Sequence, residues 1–190
     1  MKIVTIPHPT LRMQAELVTD FGTDFQNLVK EMQTTLRGSN NPRGVGLAAN
    51  QIDVLYRMFL TDIQRDDESS AEIEPKIFIN PIITKHSDQH TFGPDPEEPR
   101  LEGCLSMPGL YGAVPRWEWV EVEFQSLKDK QVIEKKERFD GFHARVVQHE
   151  LDHLDGILFT DYSLEFGLPV YREKGKELVE ITDRSALELY

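Results

Sequence analysis

Two histidines four positions apart, in His149-Glu150-Leu151-Asp152-His153, constrain this chain more than any other feature in it. A helix stacks positions i and i+4 on one face, so a helical backbone carries both imidazoles to one metal ion. Glu150 then stands beside them, where it can exchange a proton with a metal-bound water. The surrounding pattern agrees with this reading, since residues 141–154 form a plausible helix that ends near Asp155-Gly156. A catalytic metal usually takes three protein ligands and keeps one position open, so a third ligand has to arrive from elsewhere in the chain. Alone, the motif indicates a metal and not a reaction.

Cys104 is the obvious candidate for the third ligand. It is the single cysteine in the chain and lies in Glu102-Gly103-Cys104-Leu105-Ser106. A lone cysteine is ordinarily a small buried hydrophobe, but two histidines short of a ligand reverse that preference. His8, His86, His90 and His143 are weaker candidates. His86 and His90 share a four-residue spacing, yet they fall in a Pro-rich stretch where no helix would align them, and they are expected to be surface histidines. A third segment, Gly44-Val45-Gly46-Leu47-Ala48-Ala49-Asn50-Gln51, has two glycines that let the backbone come close to a ligand. It lacks the lysine and spacing of a phosphate loop. On its own it is equally a plain glycine loop with Gln51 as a polar neighbour.

The rest of the chain supplies a frame. Residues 24–37 read as an amphipathic helix through Phe25, Leu28, Val29, Met32 and Leu36. Strands are expected at 57–63, 76–83, 117–124 and 131–139, with loops or turns at 64–74 and 125–130. Residues 85–100 look like a loop insertion, and 164–190 like a tail interrupted by Gly167, Pro169 and Gly175. Strands and helices do not alternate regularly, so the expected class is α+β: small antiparallel sheets packed around a central metal-binding helix, in one domain over residues 1–190. The net charge of −12 speaks against broad binding to DNA or to anionic membranes. One cysteine makes no intrachain disulfide, the N-terminus carries no signal-peptide pattern, and no run approaches 18 apolar residues. A cytoplasmic location follows as an expectation.

Taken together, the three segments GVGLAANQ at 44–51, EGCLS at 102–106 and HELDH at 149–153 resemble the three motifs of the peptide deformylase family, in order and at every fixed position. His8-Pro9-Thr10-Leu11-Arg12, Gln148 and Leu154-Asp155-Gly156 are also similar to family members, so the resemblance covers roughly residues 3–162. It implies an enzyme that removes the formyl group from N-terminal formylmethionine of nascent chains, with formate as product. It implies Cys104, His149 and His153 as ligands of one divalent ion, with Fe2+ as the native metal and Zn2+, Ni2+ or Co2+ in purified samples. Metal-bound hydroxide would attack the formyl carbon with Glu150 as general acid/base. The Gln51 amide and the Leu105 backbone N–H would stabilise the oxyanion. Gly44, Val45, Gly46 and Gly103 would line the substrate site, with Val45, Val146 and the surroundings of His149 receiving the methionine side chain.

Two departures stand out. Many bacterial members carry Arg in the region of Tyr111, so peptide binding here would shift to Arg116 or other groups. Some members dock on ribosomes through a basic C-terminal helix, and no such helix is evident after residue 164. The competing readings are a metallopeptidase or other amidase using the same helix motif, and a binding module with a structural metal centre. The first finds no place for EGCLS. A closed fourth coordination position, or tight peptide binding without turnover, would favour the second.

Overall fold

Helix α1 (Thr23–Gly38) forms where the apolar spacing predicts it, with Phe25, Val29, Met32 and Leu36 buried along one face. The coordinates are a computed structural model, which describes residues 1–40, 43–63, 74–95 and 98–183. After α1 come β1 (Gly46–Ala48), a 3-10 turn at Ala49–Ile52, β2 (Met58–Thr61), β3 (Lys76–His86) and β4 (His90–Thr91). Next are β5 (Leu101–Cys104), β6 (Met107–Ala113), β7 (Arg116–Trp117), β8 (Trp119–Lys128) and β9 (Gln131–Asp140). Helices α2 (Gly141–Leu154) and α3 (Phe159–Phe166) and the hairpin β10 (Val170–Lys174) and β11 (Glu177–Glu180) complete the order.

Among the described residues the strands form three antiparallel sheets ordered β1-β2-β3-β8-β9, β11-β10-β6-β5 and β4-β7. The α+β class read from the sequence is the one observed. Alternation in β8 sends Val120, Val122 and Phe124 inward and leaves Glu121 and Glu123 outside. There they meet Phe59, Phe78 and Phe139, with the Phe59 and Phe78 rings stacked at 4.4 Å. Ala144, Val147, Leu151 and Leu154 of α2 close this core, so the large sheet fixes one side of that helix. The opposite side faces the second sheet, whose β5 and β6 share a separate core with α3 through Leu110, Val114, Leu158 and Phe159. α2 therefore runs between two sheets, which is what lets one helix collect residues from both.

Several boundaries differ from the sequence reading. β8 and β9 pair continuously to Lys128 and Gln131, so the turn expected over 125–130 shrinks to Asp129 and Lys130, both at positive φ. Ser126 and Leu127 remain strand because they pair with Ile133 and Val132. Residues 85–100 are not loop throughout. β3 extends to His86, and β4 pairs with β7 through His90 opposite Trp117. His86 and His90 are exposed, as expected of surface histidines, and both stack on the Trp117 ring, at 4.0 and 5.5 Å. Much of the expected 64–74 loop lies outside the described residues. The stretch after 164 holds the end of α3 and a β-hairpin joined to β6. Among the described residues no helix is long and apolar enough to cross a membrane.

Candidate metal centre and its cavity

The three sequence segments meet at one place. α2 presents His149 and His153 one turn apart, with ring centroids 4.9 Å from each other and planes nearly perpendicular. β5 delivers Cys104 at a break in register between Gly103 and Cys104, which sends the strand into a tight return at Met107. The Cys104 Sγ lies 3.1 Å from His153 Nε2, and one donor atom from each of Cys104, His149 and His153 lies within 4.8 Å of the others. The 3-10 turn after β1 carries Gln51 beneath the sulfur. Its Oε1 accepts the Ala48 N–H at 2.8 Å, which aims Nε2 at Cys104 Sγ (3.4 Å) and Ser106 Oγ (3.2 Å).

These residues fit a divalent transition ion. One sulfur and two imidazole nitrogens form the kind of donor set such ions favour. The rings are also prepared for it. His149 Nδ1–H donates to Glu102 Oε2 at 3.0 Å, which leaves Nε2 for the centre. The Asn50 side-chain amide holds the backbone carbonyl of His153, while His153 Nδ1 has no partner among the described residues. Electrostatics differ between the two rings. Burial opposes charge on His149, but hydrogen bonds to Cys104 and Glu102 overcome it and raise its pKa well above the usual histidine value. Burial, helped by the neighbouring His149, holds His153 well below that value. Rings this close do not both carry a proton charge.

Behind His149 lies a buried ionic network that sequence reasoning missed. Glu102 accepts from Arg116 Nε (3.0 Å) and Nη2 (2.9 Å) and from Arg145 Nη1 (2.8 Å) as well as from His149. Burial alone would raise the Glu102 pKa, yet the Arg116 charge and the His149 bond win and hold it far below the carboxylate range. Arg116 continues to Asp152, which in turn accepts the Tyr162 hydroxyl at 3.1 Å from α3. Its two acidic members carried a signal in the sequence, Glu102 in EGCLS and Asp152 in HELDH, but nothing there joined them to Arg145 or Tyr162. The expectation that Arg116 could bind a peptide is overturned: the residue is 2% exposed and saturated by Glu102 and Asp152.

Glu150 turns the other way, toward β1. Its carboxyl lies against the bare α-carbon of Gly46, and a Cβ at that position would overlap it. The residue is 3% exposed, its Oε2 has no hydrogen-bond partner among the described residues, and burial pushes its pKa up to about 7. A cavity of about 270 Å³ opens from this carboxyl and from His149. Gly44, Val45, Gly46, Gly103, Leu105 and Val146 all line it, so every residue expected at a substrate site is at its wall. Tyr111 lines it too, packed over Gly103, where an added Cβ would come within 2.8 Å of the ring.

A buried thiol and two imidazoles beside a carboxyl whose pKa lies about 7, at the end of a small cavity, can hold a metal ion and pass a proton to a bound group. Comparison with known proteins points the same way. The family model described as polypeptide deformylase matches residues 1–166. The peptide deformylase of Roseiflexus castenholzii is 43% identical over 145 residues, 72% of this chain and 72% of that protein. Among solved structures, a peptide deformylase from Legionella pneumophila is 34% identical with a TM-score of 0.69, covering 85% of this chain and 84% of that one. A probable peptide deformylase from Synechococcus phage S-SSM7 is 36% identical with a TM-score of 0.70, over 85% and 99% of the two chains.

Proposed function

The chain belongs to the peptide deformylase family, hydrolases that take the formyl group from N-terminal formylmethionine, and from that premise we propose that it works through one divalent ion held by Cys104, His149 and His153. The observation that carries the reading is the convergence of those three donors within 4.8 Å beside the buried Glu150 carboxyl. When bound, the ion supplies Lewis acidity, which lowers the pKa of a coordinated water toward about 7. Ferrous iron is the proposed native ion, because the motif set resembles a family that characteristically uses it. Cysteine and histidine donors also suit zinc.

The chain's own groups divide the remaining work. Glu150, with a pKa of about 7, accepts the proton shed by the attacking water and returns it to the departing amine. Oε1 packs against Gly46, and Oε2, which has no partner among the described residues, is the oxygen that makes the exchange. The Gln51 amide and the Leu105 backbone N–H donate to the oxygen that gains charge at the formyl carbon. Gln51 is held for this by its bond to the Ala48 N–H. Gly44, Gly46 and Gly103 allow the backbone to close around a group as small as a formyl, and Val45 and Val146 receive the methionine side chain. Nascent formylmethionyl chains in the cytoplasm are the proposed substrates, with docking on the ribosome through some surface other than a basic C-terminal helix.

The test is formate release from formyl-Met-Ala-Ser by anaerobically prepared, iron-loaded protein, with elemental analysis of the same sample. Turnover that scales with iron content and disappears in Glu150→Ala is expected. Formate release unaffected by Glu150→Ala, or by removal of the metal, overturns the mechanism.

A further inference from the structure

Two exposed arginines, Arg43 and Arg100, line the cavity of a chain that is acidic overall. The chain bears a net charge of −12, yet the charged residues lining the cavity are Arg43, Arg100, Arg145, Glu102, Glu150 and His149. Four of these are spoken for. Glu102 is neutralised by Arg116 and Arg145, the latter also bonded to the Val114 and Thr91 carbonyls at 2.8 Å, while His149 and Glu150 belong to the metal centre. Two arginines remain, and both are exposed. Among the described residues neither Arg43 nor Arg100 has a carboxylate within ion-pair distance.

Their positions are built rather than incidental. Arg43 immediately precedes the Gly44-Val45-Gly46 wall, and Arg100 immediately precedes β5 on another wall. The Arg100 backbone N–H is fixed to the Phe92 carbonyl at 2.8 Å, and its guanidinium lies over the Phe142 ring at 4.9 Å. A guanidinium stacked this way keeps its in-plane N–H groups available to a carboxylate. Two exposed guanidiniums at the wall of a cleft present a positive field to an anion that passes them.

We infer that Arg43 and Arg100 form an anion-reading rim that favours formylmethionyl peptides with acidic side chains in the residues just after the methionine. The inference rests on the deformylase reading. With the formyl end at the metal centre, the residues leaving through the mouth are those that follow methionine, and their side chains pass the two guanidiniums.

The test compares C-terminally amidated peptides, so that no terminal carboxylate competes: formyl-Met-Ala-Glu-Glu, formyl-Met-Ala-Lys-Lys and formyl-Met-Ala-Ser-Ser. The wild-type chain is expected to prefer the Glu over the Lys peptide by about tenfold in kcat/KM at low salt, the upper range for two exposed ion pairs, with the change in KM. The same ratio, measured within an Arg43→Ala/Arg100→Ala variant or in about 0.5 M salt, should fall to within about twofold of one. A wild-type ratio near one, or a ratio that survives in the double variant, overturns the inference while formate release from the Ser peptide upholds the deformylase reading. No formate from the Ser peptide rejects both.

Discussion

The Glu150 carboxyl occupies the space that a Cβ on Gly46 would fill, so the general acid/base proposed for this site is positioned by a missing side chain. Gly46→Ala is therefore expected to displace Glu150 instead of merely crowding the cavity. Positioned proton transfer contributes typically 10²–10⁴-fold, so kcat should fall by about 10²-fold or more while metal content by elemental analysis stays near wild type. A variant that keeps wild-type kcat would show that Glu150 does not need this seat.

Glu102 holds two guanidiniums and one imidazole at once. Glu102→Gln leaves Arg116 and Arg145 buried without their countercharge, and urea unfolding should report a loss of about 3–5 kcal/mol. Because His149 loses the carboxylate that orients it, metal affinity by chelator competition on the folded fraction should drop about 10–100-fold. Unchanged affinity would mean that the ring is fixed by other contacts.

The burial of Glu150 has its own pH signature in metal-free protein. Its folded pKa, about 7, lies above the ordinary value of 4.5, so the folded state keeps the proton longer than the unfolded one. The stability tied to that proton is full below about pH 4.5 and is lost as pH rises through 7. Glu150→Gln carries no such dependence. Thermal unfolding should therefore find the two proteins similar near pH 5, and the Gln variant more stable at pH 8, by something on the order of 3 kcal/mol. A difference that does not grow with pH would rule out a raised pKa at this position.

Gln51→Ala removes the amide aimed at Cys104 and Ser106. As an oxyanion donor its loss should cost about 10²–10³-fold in kcat with little change in KM. An effect confined to KM would make Gln51 a substrate contact and not a stabiliser of developing charge.

How much of this was legible in the sequence depends on the distance between partners. His149 and His153 fall four apart on a helix whose periodicity is plain, and Cys104 followed from the shortage of ligands. Arg116 and Arg145 could not be assigned in that way, because they meet Glu102 only through folding, from 14 and 43 positions away. The turn at Asp129-Lys130 is shorter than the 125–130 that the polar composition suggests, because Gln125, Ser126 and Lys128 are polar residues that nonetheless pair in the ladder. β11 was invisible for a simpler reason: every one of its residues is exposed, so no alternation marks it as a strand.

The C-terminal hairpin lies beyond the stretch that the family model matches, yet β10 pairs with β6 through Tyr171 opposite Tyr111. It is thereby the guardian of a flank. Strip the chain back to residue 166, and the strand that returns from the sulfur ligand would present bare amides and carbonyls to its neighbours, an invitation to self-association. The pairing that shields this edge runs through Tyr111, a residue of the cavity wall, so one short ladder serves both the sheet's margin and the cavity's lining.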